Sequence, residues 1–162
     1  MYKRIFYKKV YVELENKLSP YLISTYEVNF SKDDDVSKKA SEICKLKFMP
    51  LVKVCTIHDY VYKNIAYDYD LAANIKSGKI KSYHPKAIDI LKNKKGICYD
   101  KAVLFAAMCC SQDIPCEIVK GYYKDIPHAW NKVYIKDKWI YIDPSTKIDF
   151  SRNNGKYYKE KI

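Results

Sequence analysis

Gly96-Ile97-Cys98-Tyr99-Asp100-Lys101-Ala102-Val103-Leu104-Phe105-Ala106-Ala107-Met108-Cys109-Cys110 is the stretch on which the fold turns. From Ala102 onward it is apolar on every side. A helix without a polar face is buried all round, so this segment predicts the central helix of a domain. In front of it, Lys92-Asn93-Lys94-Lys95-Gly96 reads as the end of a shorter helix from Pro85 to about Leu91, with Gly96 as the expected stop. Behind it, Pro115 closes the segment. Cys98 stands at or near the amino-terminal end of the central helix. A cysteine in such a place meets the positive end of the helix dipole, which favours thiolate over thiol. The backbone N–H groups there can also bind a developing oxyanion.

Downstream, three strands are predicted: Cys116 to Tyr123, His128 to Ile135, and Trp139 to Asp143. Lys136-Asp137-Lys138 is a tight connection between the last two. If Lys136-Asp137 is a two-residue loop, Asp143 falls opposite Trp130 and diagonal to His128. If Asp137-Lys138 is the loop, Asp143 falls opposite Lys132. In both registers Asp143 shares a face with His128, because side chains alternate with period two. A three-residue loop would part them. The shared face carries His128, Trp130, Lys132, Tyr134, Trp139, Tyr141 and Asp143. The other carries Ala129, Val133, Ile135, Ile140 and Ile142. Both hold apolar bulk, so the sheet is expected to be covered on both sides. The central helix is expected on the His128 face, which would bring Cys98 to His128. The result is a Cys-His-Asp set in chain order: a thiolate nucleophile, a base that takes and returns its proton, and a carboxylate that fixes the imidazole tautomer.

Upstream, residues 2 to 30 are rich in Tyr, Val and Ile. One or two strands are expected there, around Val10-Tyr11-Val12 and from Ile23 to Phe30. Ser31 and Asp33-Asp34-Asp35 mark a helix start, and that helix should run to about Phe48. Pro50 opens a second helix. Its Val54, Ile57, Val61 and Ile65 recur at spacings of three and four, the mark of one buried face. His58 on this helix reads as a core or surface histidine. Between Asp70 and Pro85 lies a polar stretch containing Gly78. Helices followed by an antiparallel sheet make an α+β domain.

The chain has 162 residues, a length that suits a single domain over 1–162, with a core at 51–146 and an amino-terminal extension at 1–50 packed on it. With 48% hydrophobic and 30% charged residues, intrinsic disorder is excluded. The net charge is +11. Arginine, which forks onto phosphate and guanine, occurs only at Arg4 and Arg152. The lysines are scattered, so the charge predicts acidic protein or peptide partners rather than specific nucleic acid. No apolar run is long enough to span a membrane, and the first residues carry no signal-peptide core. A cytoplasmic, reducing location, free thiols and a monomer are expected. Of the six cysteines none forms a C-x-x-C pair. Cys44, Cys55 and His58 lack a fourth ligand, so neither metal nor cofactor is expected.

Gly96-Ile97-Cys98-Tyr99-Asp100-Lys101-Ala102, Ile114-Pro115, Gly121-Tyr122, His128-Ala129-Trp130-Asn131-Lys132-Val133-Tyr134 and Trp139-Ile140-Tyr141-Ile142-Asp143-Pro144-Ser145 together resemble the transglutaminase-like superfamily. Ile57-His58-Asp59-Tyr60-Val61-Tyr62-Lys63-Asn64-Ile65-Ala66-Tyr67-Asp68 resembles the helix that precedes the family's cysteine. Several motifs in order make a specific signal. The resemblance implies a papain-like α+β fold, with a central buried helix packed on an antiparallel sheet. It assigns the triad to Cys98, His128 and Asp143. Members include protein-crosslinking transglutaminases, cysteine peptidases, peptide N-glycanases and inactive relatives that only bind. The implied activity is therefore acyl transfer or amide hydrolysis through a thioester, without metal. Tyr67 is expected as a second oxyanion donor and Trp130 as a wall of the site. The chain departs from the pattern of bacterial members at Cys110, often basic there, at Asp113, often Gly, and at Lys132, often Glu.

Overall fold

The helix at the centre of the domain, α5 (Cys98–Cys110), is started by its own third residue. The Oδ2 of Asp100 accepts the Ile97 amide at 2.8 Å, supplying a partner to a donor that helix geometry leaves orphaned. Gly96 is demanded by this close approach, since a Cβ there would lie 2.4 Å from the Asp100 Cβ. At the other end the Ile114 amide donates to the Cys109 carbonyl at 3.1 Å, and Asp113 takes a φ of 59°. Aspartate is one of the few residues other than glycine that tolerate that left-handed backbone. Every residue from Asp100 to Cys110 is buried. These features come from a computed structural model that describes residues 16–148 and the backbone of 158–160.

Around α5 pack α1 (Asp35–Cys44), α2 (Pro50–Asn64) and α4 (Ala87–Asn93). Asp34 caps α1, its Oδ1 accepting the Ser37 amide at 2.8 Å. Pro50 sits in the first turn of α2, as expected. Val54, Ile57, Val61 and Ile65 all point into the core, each at most 1% exposed.

The sheet has the order β5-β4-β3-β6, all antiparallel: β3 (Cys116–Tyr123), β4 (Ile126–Ile135), β5 (Lys138–Ile142) and β6 (Tyr158–Glu160). Ile135 pairs with Lys138, so the loop is Lys136-Asp137, both at positive φ (50° and 61°) as a two-residue hairpin turn requires. This is the register that sets Asp143 diagonal to His128. A parallel pair of short strands, β1 (Ala66–Tyr67) and β2 (Lys95–Gly96), completes the frame. Among the described residues no helix is long and apolar enough to cross a membrane.

Several expectations are corrected. The central helix does not cover the His128 face. Val133, Ile135 and Ile142 of the opposite face share the core with α5. Asn131 seals that contact, its Nδ2 donating to the Ala102 carbonyl of α5 at 3.1 Å. Ile23 to Phe30 forms no strand. The side chains of Ser24 and Thr25 take the amides of Phe30 and Val28, at 3.1 and 3.0 Å, and fold the segment on itself. Val10–Val12 lies outside the described residues. α1 ends at Cys44 rather than near Phe48, and Leu46 turns left-handed at φ 63°. α4 is stopped by left-handed Lys94 (φ 51°), and Gly96 serves the close approach described above. The polar stretch after Asp70 contains an additional helix, α3 (Tyr69–Lys76), capped by Asp68, whose Oδ1 accepts the Leu71 amide at 2.9 Å.

The segment before α1 is tied to the core. Tyr21 packs edge-on against Trp139 at 4.8 Å, and the Cys110 thiol donates to the Tyr21 carbonyl at 3.1 Å. Glu27 accepts from the Tyr99 hydroxyl and pairs with Lys120.

Candidate active site

β5 ends at Ile142, and the chain turns at once through Asp143. One carboxylate oxygen of Asp143, Oδ1, accepts the Ser145 amide at 2.8 Å. The other, Oδ2, lies 2.8 Å from His128 Nε2. Both side chains are largely withdrawn from water, with exposures of 15% for His128 and 6% for Asp143. The Cys98 side chain also lies within hydrogen-bonding reach of the His128 ring. Burial alone would lower the proton affinity of His128. The hydrogen bonds and charges of Asp143 and Cys98 outweigh it and raise the pKa from 6.5 to about 9. Cys98 is the first residue of α5, so it meets the ring at the tip of the helix and not through the face that α5 covers.

Cys98 is half-buried, whereas Cys109, Cys110 and Cys116 are buried. The β1–β2 ladder pairs Tyr67 with Gly96, two residues before Cys98. Burial, with the charges of Cys98 and Tyr69, holds the Tyr67 proton more tightly than usual. Tyr67 remains 41% exposed, at the rim of the site. Trp130 is wholly buried and stacks on the His128 ring, with centroids 6.1 Å apart and planes 19° from parallel. Tyr123 approaches the same ring at 6.0 Å.

Three further residues shape this region. Asp100 is buried, and the Tyr83 hydroxyl donates to its Oδ1 at 2.5 Å. Burial pushes the Asp100 carboxyl up, and the bonds from Tyr83 and Ile97 oppose this. Its place, three residues after Ile97, is the capping-box spacing, but Ile97 has no hydroxyl to complete the box, so the sequence carries only half of that signal. Lys101 is also buried, and burial lowers its proton affinity while the charge of Asp143 raises it. His58 is in the core, as one of its two sequence readings had it, but against the backbone of Asp143 and Thr146. No local pattern in the sequence announces that contact. A cavity of about 390 Å³ opens beside Asp68, Tyr83, Asp89 and Asp100, and neither Cys98 nor His128 lines it.

The chain is similar to kyphoscoliosis peptidase of Homo sapiens, with 26% identity over 133 residues, which is 75% of this chain and 19% of that protein. The Mus musculus protein of the same name matches at 27% over 120 residues, 67% of this chain and 17% of that protein. The chain thus spans about a fifth of the length of the curated relatives it matches. In structure it is similar to a candidate cysteine protease from Cytophaga hutchinsonii, with TM-score 0.65 and 25% identity, over 82% of this chain and 43% of the other. It shares its fold with the periplasmic domain of TgpA from Pseudomonas aeruginosa, at TM-score 0.58 and 15% identity, over 79% and 46% of the two chains. Residues 37–144 match the sequence profile of the transglutaminase-like superfamily, and the chain belongs to that superfamily.

Proposed function

We propose that this chain is a thiol-dependent acyl-transfer or amide-hydrolysing enzyme with Cys98, His128 and Asp143 as its catalytic triad. One observation carries the reading: the His128 ring is held between a carboxylate at 2.8 Å and the side chain of a helix-starting cysteine. Asp143 occupies Nε2, which leaves Nδ1 for the thiol. The Cys98 sulfur, its proton already passed to His128, attacks the carbonyl carbon of an amide as a thiolate. The backbone N–H of Cys98 and the Tyr67 hydroxyl stabilise the oxyanion. The C–N bond breaks, His128 returns the proton to the leaving amine, and a thioester remains on Cys98. Water or an amine then attacks the thioester, His128 takes the attacking proton, and the sulfur leaves and is reprotonated. Asp143 holds the imidazole tautomer and balances its positive charge throughout.

The matches to peptidase and protease relatives favour a peptide bond as the amide and water as the acceptor. A protein or peptide substrate with acidic character suits the net charge of +11. The test is alkylation by iodoacetamide across pH, read at each cysteine by peptide mass spectrometry, in wild type and His128→Ala. Cys98 should react fastest, and the substitution should slow it alone. If Cys98 reacts no faster than the buried thiols in the folded protein, the reading fails and a binding module takes its place. Amine incorporation into glutamine peptides, against cleavage of peptide libraries, then separates transfer from hydrolysis.

A further inference from the structure

Asp143 is gripped by two histidines. His128 meets its carboxylate, and His58 meets its main chain. His58 belongs to α2 and is wholly buried. Its Nε2 lies 3.1 Å from the Asp143 carbonyl oxygen and 2.9 Å from the Thr146 carbonyl oxygen. Carbonyl oxygens only accept, so Nε2 must carry the proton and donate to both. Ring stacking on Tyr62, with centroids 6.0 Å apart and planes 16° from parallel, fixes the ring plane, and Asp59 Oδ1 stands 3.5 Å from Nδ1 without a hydrogen bond to it.

The place of this contact gives it meaning. The β4–β5 ladder ends at Asn131–Ile142, one residue short of Asp143. Beyond it the chain turns, with the Thr146 amide donating to the Asp143 carbonyl at 3.3 Å. α2 packs on α5, the helix that begins with Cys98. The His58 ring therefore ties the turn carrying the carboxylate to the helical layer carrying the thiol. We infer that His58 is a positioning residue, holding the Asp143–Thr146 turn so that the carboxylate stays on His128. This rests on the reading of Asp143 as the carboxylate that orients His128.

The first test needs no variant. In nitrogen-15 spectra of wild type, His58 should carry its ring proton on Nε2 and exchange it slowly. A proton on Nδ1 instead overturns the inference. The second test compares His58→Phe, which keeps a ring and removes the donor, with His58→Gln, whose amide can restore it. With folding checked by circular dichroism, His58→Phe should slow alkylation of Cys98 about tenfold or more, since small displacements of reacting groups are costly. It should also shift downward the titration of His128, whose ring Asp143, Cys98 and Tyr123 face. His58→Gln should recover most of both. A folded His58→Phe with wild-type alkylation and titration overturns the inference. If His58→Phe does not fold, the ring proton and His58→Gln decide, and a folded His58→Gln with the loss expected of the phenylalanine counts against it. Should His128→Ala leave Cys98 reactivity unchanged, the catalytic reading itself has failed. Should His128→Ala act as proposed while His58→Phe is silent, only the positioning role is lost.

Discussion

At the amino end of α5, Cys98 is half-buried and lies within reach of an imidazole. At the carboxyl end, Cys109 and Cys110 are buried and Cys116 faces them from the start of β3. Burial pushes the Cys109, Cys110 and Cys116 thiols up, and Cys109 and Cys116 satisfy each other with a hydrogen bond. The same residue type thus has a base beside it at one end and only thiols, backbone carbonyls and core at the other. What distinguishes the two is the terminus of the helix and the neighbour, not the cysteine.

The largest test of that contrast removes the neighbour. His128→Ala should slow alkylation of Cys98 by about 100-fold, the lower range for a lost general base, and leave the thiols of Cys109, Cys110 and Cys116 as they were. Equal slowing at all sites would point to a global change and sink the contrast. The same imidazole has a signature in stability. Its pKa is 6.5 when unperturbed and about 9 in the fold. A raised pKa means that the folded state binds the proton more tightly. The stabilisation is therefore complete below pH 6.5 and is lost as pH rises through about 9. Melting temperature should fall over that window in wild type, and this fall should flatten in His128→Gln; parallel curves would refute the assignment to His128.

Gly96→Ala attacks the amino end from behind. The added Cβ meets Asp100 at 2.4 Å, so the start of α5 must shift. Urea unfolding should show a loss of about 1–3 kcal/mol, with slower Cys98 alkylation. An unchanged midpoint would mean that the approach relaxes without cost. Cys109→Ala is the mildest. A small core cavity should cost about 1–2 kcal/mol and leave Cys98 labelling untouched. A change in Cys98 reactivity there would show that the two ends are coupled.

Much of the frame was legible because it is written in strong local signals. Pro50, the four apolar residues of α2 and the all-apolar run of α5 each predict one structure. Either two-residue loop in Lys136-Asp137-Lys138 sets His128 and Asp143 on one face, and the observed pairing of Ile135 with Lys138 rules out the three-residue loop that would have parted them. What escaped was settled by tertiary contact. Which face of the sheet α5 covers depends on Asn131 and Val133 fitting that helix, and no alternation pattern distinguishes two faces that both carry bulk. α3 has no buried residue, and its apolar stripe is only Leu71, Ala72 and Ile75, half-buried and too short to stand out in a polar stretch. Ser24 and Thr25 divert a β-rich segment through side-chain bonds to its own backbone. Trp130 was placed on the face of His128, and its full burial against that ring is a tertiary fact that alternation does not show. His58 makes its contact 85 and 88 residues away along the chain, a distance over which local pattern is silent.

The short ladder between Ala66–Tyr67 and Lys95–Gly96 has an architectural consequence. It clasps the two ends of the excursion that carries α3 and α4, like the neck of a loop drawn tight. Once the neck is closed, lengthening the loop costs only about 0.6 kcal/mol of closure entropy per doubling. Gly78, at φ 73° with nothing within 4 Å of where a Cβ would stand, is at the open far side of that excursion. Foreign sequence spliced in after Gly78 should therefore leave the reactivity of Cys98 intact, which makes this position the natural port for a reporter or a substrate-recruiting module.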